Sequence, residues 1–136
     1  MDINRLSKEP VLLSDPFEII RPYKVFDINN VISGDVPFYD TGNKLNVVNY
    51  INDCSYENKN NDLLILITFD GNCYQPQHKK FAVRGHGSMF ILKLLNKNID
   101  LNLNSKLITY QLTKLFEWSN QLTITKFKNI KLYLYL

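Results

Sequence analysis

Read from the N-terminus, apolar and polar positions keep no clean period over residues 1–16, "MDINRLSKEPVLLSDP", where prolines stand at 10 and 16. Residues 17–28, "FEIIRPYKVFDI", are rich in β-forming side chains, and Pro22 limits them to an edge or interrupted strand. Turn residues Gly34, Pro37 and Gly42 surround a short strand in 29–43. "LNVVNYI" at 45–51 and "LLILITF" at 63–69 predict two strands, separated by the polar flap 53–62, "DCSYENKNND". The second strand is apolar at every position but Thr68, so both of its faces should be covered. Asp70-Gly71 signals a tight turn, and "KKFAVR" at 79–84 predicts a third strand.

The pattern then changes. "SMFILKLLNKN" at 88–98 fits a short helix capped by Ser88. Residues 104–120 predict a longer helix, with Ile108, Leu112, Leu115 and Phe116 on one stripe and Asn104 or Ser105 as its cap. Two closing strands are expected at about 122–128 and 131–136, the last alternating Leu132, Leu134 and Leu136 with Tyr133 and Tyr135.

The length allows one domain, and 45% hydrophobic content places the chain among globular proteins. The organisation expected is an arm at 1–28, which a strand, a helix or a tether would equally fit, followed by a domain at 29–136. No segment reads as a signal peptide or a membrane span, and none of the asparagines begins an Asn-x-Ser/Thr acceptor. Cys54 and Cys73 would stand at opposite ends of the hairpin built from 45–52 and 62–69, roughly 20 Å apart at about 3.3 Å per residue, too far for a disulfide. An intracellular setting is expected, nuclear or at a site of viral replication. The net charge of +3 conceals a division: residues 1–70 hold 6 Lys/Arg and 11 Asp/Glu, whereas residues 71–136 hold 10 and 2. Such asymmetry is what a face for a polyanion or an acidic partner requires, unless the two halves intermix in space.

Three strands, a helical insert and two more strands make a mainly β order. "NVVNYINDC", "LLILITFDGN", "KFAVR" and "LTITKFKNIKLYLYL" resemble the strands of an OB-fold domain over about residues 44–136. That fold is a five-stranded β-barrel with a helix between strands 3 and 4, here with an N-terminal extension. Among such domains the chain looks most like the small subunits of replication protein A and telomere-capping assemblies, which bind single strands. The resemblance implies a groove with lysines on the backbone and aromatics under the bases. Lys79, Lys80, Arg84, Lys126, Lys128 and Lys131 are the candidate cations. Tyr56 and Tyr74 are candidate platforms, with Phe81 and Phe127 either platforms or core.

A non-catalytic subunit acting on single-stranded DNA or telomeric ends with a larger protein partner is therefore expected. The alternative is a protein-interaction module, adaptor or viral accessory factor, without nucleic-acid affinity. Tyr133, Leu134 and Tyr135 would then form an interface on an unpaired final strand. Cys73, His78 and His86 match no metal-ligand spacing, so no metal or cofactor is expected. "RGHGS" at 84–88 sets His86 beside Ser88, but its glycines mark a turn more simply than a nucleophile–base pair, and no enzyme is expected.

Overall fold

The computed structural model describes residues 5–41, 45–68, 71–84, 89–96, 98–115 and 124–136. The expected turn at Asp70, the Ser88 cap, His86, Phe116 and the helix end beyond residue 115 lie outside the described residues, as does the side chain of Leu115. Among the described residues ten strands lie in three sheets: β1 Val11–Leu12, β2 Phe17–Ile20, β3 Ser33–Thr41, β4 Leu45–Ile51, β5 Tyr56–Glu57, β6 Leu64–Ile67, β7 Cys73–Tyr74, β8 Lys80–Val83, β9 Phe90–Leu94 and β10 Lys131–Leu132. Helices α1, Leu101–Leu115, and α2, Ile124–Asn129, separate β9 from β10.

The first sheet has the order β2-β9-β6-β7 and is antiparallel throughout. It is central because side chains on both of its faces are buried. Ile65 and Ile67 of β6, with Phe90 and Leu92 of β9, pack on one face against Leu13, Ile108, Leu112, Phe127 and Leu134. Leu64 and Leu66, with Met89 and Ile91, pack on the other against Tyr39, Tyr56, Phe81 and Val83. Strand periodicity thus sends alternate residues of one apolar run into two cores. Burying each such side chain stabilises the fold by about 1.5–3 kcal/mol.

The second sheet, β4-β3-β8-β5, forms the layer beneath that second face. Its β3–β8 pair is parallel, with Tyr39 beside Val83, and its other pairs are antiparallel. The register of β3 on β4 slips between Phe38 and Tyr39. Near Ile51, Gly34 passes so close to Asn52 that a Cβ there would stand 2.4 Å from the Asn52 Cα. The outer face of this sheet buries Phe38, Ile51 and Ala82 beneath Phe26, Ile28 and Val31. The third sheet is the antiparallel pair β1-β10.

The chain is mainly β, but the described strands form separate sheets and not one closed five-stranded barrel. Three elements depart from expectation. Residues 90–94 are a strand, not a helix, because β9 fills the place between β2 and β6. Residues 124–129 are a helix, not a strand, and deliver Phe127 into the core over Phe90 at 5.5 Å between ring centroids. The flap is no free finger. Tyr56 and Glu57 pair with Phe81 and Lys80 at the edge of the second sheet, and Asn58 closes the rest by accepting from the Asp62 N–H at 2.9 Å and donating to its carbonyl at 2.8 Å. Asn61 takes φ 54 in this loop, a left-handed conformation that asparagine tolerates.

The last residues are held on both sides. Arg5 to Ser7 meet them on one side, with the Ser7 N–H donating to the Leu134 carbonyl at 2.8 Å and the Leu136 N–H to the Arg5 carbonyl at 2.9 Å. On the other side α1 supplies amides in place of a strand. The Asn104 amide receives the Tyr135 N–H at 2.7 Å and donates to the Tyr135 carbonyl at 2.9 Å, and Gln111 repeats the pattern on Tyr133 at 2.8 Å each way. Asn104 is therefore a buried partner and not the helix cap. The cap is Asp100, whose Oδ1 accepts from the Leu103 N–H at 3.0 Å.

Candidate functional site

The candidate cations fall into separate places. Lys80 opens β8 in the second sheet and Lys79 precedes it. Lys128 on α2 and Lys131 on β10 are exposed on elements packed against the opposite face of the central sheet. One groove does not collect them, and the side chain of Lys126 lies outside the described residues. Arg84, at the far end of β8, stands 3.9 Å from Asp40. Lys80 is the cross-strand partner of Glu57. It also adds to the effect of the Cys54 N–H and Lys24, which hold the Asp53 carboxyl below its usual range. Lys79 has no carboxylate within ion-pair distance among the described residues.

The aromatic platforms are largely spent in the interior. Phe81 and Phe127 are fully buried, and Tyr56 is 7% exposed, wedged between Tyr23 and Phe81 with centroids at 5.4 and 6.0 Å. Burial, with the nearby Tyr23, Asp62 and Glu18, raises the Tyr56 hydroxyl pKa. Tyr74 alone of the candidates offers part of its ring to a cleft. At the C-terminus Leu134 is fully buried and Tyr135 nearly so, while Tyr133 is 42% exposed. The expected open pairing edge is absent there, because α1 and residues 5–7 take up its backbone groups.

A cleft of mixed polar and apolar lining lies where the edge of the central sheet meets the second sheet. Residues 75–78 run between β7 and β8 and divide it into two halves. One half, of about 380 Å³, is walled by Tyr39, Leu45 and Val47 across from Tyr74, Gln75 and Gln77. The other, of about 230 Å³, lies among Asn58, Asn61, Asp62, Gln75, Gln77 and Lys79. His78 lines both halves. Its ring is anchored by Tyr39, a residue 2% exposed, whose hydroxyl lies 2.6 Å from Nδ1 and 3.1 Å from the His78 backbone nitrogen. Burial raises the Tyr39 pKa against the opposing pull of the His78 and Gln77 N–H groups, so the phenol keeps its proton. Asp62, the acid of the cleft, pairs with Lys93 at 3.7 Å. The Gln75 amide donates to Asn102 at the start of α1.

Chemically the cleft offers amides, one imidazole and one unpaired ammonium, a set suited to hydrogen bonding and weak in nucleophiles. Cys73 at its edge is held as a thiol, because burial pushes its pKa up to about 12. Among the described residues no group of three or more His, Cys, Asp or Glu side chains could hold a metal ion. Sequence reasoning singled out Lys79 and Tyr74 here but missed Gln75, Gln77 and Tyr39. The concentration of Gln, His and Lys in "CYQPQHKK" was the available signal.

No protein-family model matches the chain, and no curated protein matches it. Among solved structures it is similar to the crystal structure of a type-I restriction-modification system S subunit from M. genitalium, with a TM-score of 0.61 and 16% identity. The likeness covers 96% of this chain and 34% of the S subunit, so the chain spans about a third of that protein's length. It overturns the resemblance to replication protein A and telomere-capping subunits, and the shared fold is that of part of a restriction-modification S subunit.

Proposed function

We propose that this chain is a non-catalytic nucleic-acid-binding component of a larger assembly, and that it meets the polymer with the cleft around residues 75–80. The observation that carries this reading is the cleft's lining: Asn61 and Gln77 beside His78 and Lys79, with the Asn58 and Gln75 amides engaged by Asp62 and Asn102 at its wall. Side-chain amides pair in two-pronged fashion with base edges, and lysines neutralise phosphates. Single-strand binding draws on stacked aromatics, and Tyr56, Phe81 and Phe127 are buried. Of the candidate platforms only Tyr74 offers part of its ring to the cleft, a lining better suited to duplex DNA than to single-stranded DNA. A neighbour named as one subunit of a system supports a role alongside other chains. No described helix is long and apolar enough to cross a membrane.

The test is fluorescence anisotropy of a labelled mixed-sequence 20-base-pair duplex and of its single strands, in low and in physiological salt. The expected result is duplex binding that exceeds single-strand binding and weakens steeply with salt through counterion release. Absence of binding to either in low salt would overturn the reading.

A further inference from the structure

The Tyr39 hydroxyl has one proton to give and two lone pairs to receive with. One lone pair is engaged by the His78 N–H at 3.1 Å, and among the described residues His78 Nδ1 is the one acceptor within reach of the hydroxyl. Its proton is left for His78 Nδ1, 2.6 Å away. Nδ1 must then be the unprotonated nitrogen of the neutral ring, and Nε2 carries the hydrogen. Nε2 has no hydrogen-bond partner among the described residues, and His78 is an exposed side chain shared by the two halves of the cleft.

We propose that Tyr39 is a positioning residue that locks His78 as its Nε2–H tautomer, so that the cleft presents a fixed donor to a hydrogen-bond acceptor on the bound nucleic acid. The inference rests on the nucleic-acid reading and deepens it. A ring free to exchange tautomers would accept as readily as donate. The locked ring selects an acceptor, which on a duplex is a base-edge atom such as a purine N7, guanine O6 or thymine O4, or a phosphate oxygen. Tyr39 sits behind the ring and shapes recognition through it.

The chain has two histidines, so long-range ¹⁵N–¹H correlation of the imidazoles at pH 7.5 resolves them, with His78→Ala giving the assignment. The expected spectrum shows His78 Nδ1 as the bare nitrogen and Nε2 as the protonated one. In Tyr39→Phe that preference should fall to a mixture, checked for an intact fold by the backbone amide spectrum. A His78 protonated on Nδ1, or unchanged by Tyr39→Phe, overturns the lock. If Tyr39→Phe fails to fold, the wild-type spectrum and His78→Ala still decide.

Duplex affinity is measured in parallel. His78→Ala should weaken it about fivefold to tenfold, the scale of one lost hydrogen bond. Tyr39→Phe should weaken it by less, and the double variant no more than His78→Ala. Unchanged affinity in a well-folded His78→Ala overturns the donor role while leaving the nucleic-acid reading intact. Absence of wild-type binding overturns that reading and the assigned acceptor together. A duplex of 7-deazapurines that weakens wild type but not His78→Ala identifies N7 as the acceptor, and the same pattern with methylphosphonate links identifies phosphate.

Discussion

At the scale of residues, two side chains do more than their types announce. Asn104 reads, with Ser105, as a candidate helix cap, yet it is buried and satisfies both backbone groups of Tyr135. Asn104→Ala removes the amide that meets the Tyr135 N–H and carbonyl, at a cost of about 2–4 kcal/mol, and urea unfolding should show it. Cys73 makes the second case. Keeping its thiol neutral contributes stability that is complete below the ordinary thiol value of 9.0 and is lost as pH climbs from there towards about 12. Because the thiolate is the nucleophile, native Cys73 should alkylate at pH 8.5 at least about tenfold more slowly than in the urea-unfolded chain. Mass spectrometry of iodoacetamide-treated protein would measure this, and equal rates in both states would contradict the placement. Neither role was legible in the sequence, since each depends on residues far along the chain: Tyr135 for Asn104, and for Cys73 the core side chains that bury it.

At the scale of elements, legibility followed the strength of the local pattern. Strands at 45–51, 64–67 and 80–83 were legible because β-branched and apolar residues cluster there between turn residues. "FILKL" was misread because a short apolar run has no period that separates helix from strand, and its neighbours β2 and β6 decide the matter. "ITKFKN" was misread for the opposite reason: its β-rich composition is overruled by the packing of Phe127. Phe127→Ala should therefore cost about 3–5 kcal/mol. Lys128→Glu, one residue on and exposed, should change stability by less than about 0.5 kcal/mol. Comparable losses from both would refute a helix that buries one face. Gly71 supplies a further check at the turn into β7. With φ at +92 and a Cβ position 2.8 Å from the Leu112 Cβ, Gly71→Ala should destabilise by about 1–3 kcal/mol on the same denaturation curves.

At the scale of the whole molecule, the central sheet decides which charges can act together. The charge asymmetry along the chain suggested one basic face, but the layers place Lys79 and Lys80 on one side of that sheet and Lys128 and Lys131 on the other. The candidate site was legible only as separate residues. Its walls come from β3, β4, β7 and the loop after β5, and Tyr39 reaches His78 across 39 positions of sequence. The pattern of a single segment holds no record of such a meeting.

That arrangement gives the central claim its most direct test, a comparison of duplex affinities for two paired charge reversals in low salt. Lys79→Glu with Lys80→Glu should weaken binding about tenfold or more and make the salt dependence shallower. Lys128→Glu with Lys131→Glu, equal in charge but on the opposite layer, should change it by less than about threefold. Equal losses from the two pairs, or a larger loss from the second, would contradict a binding site at the cleft.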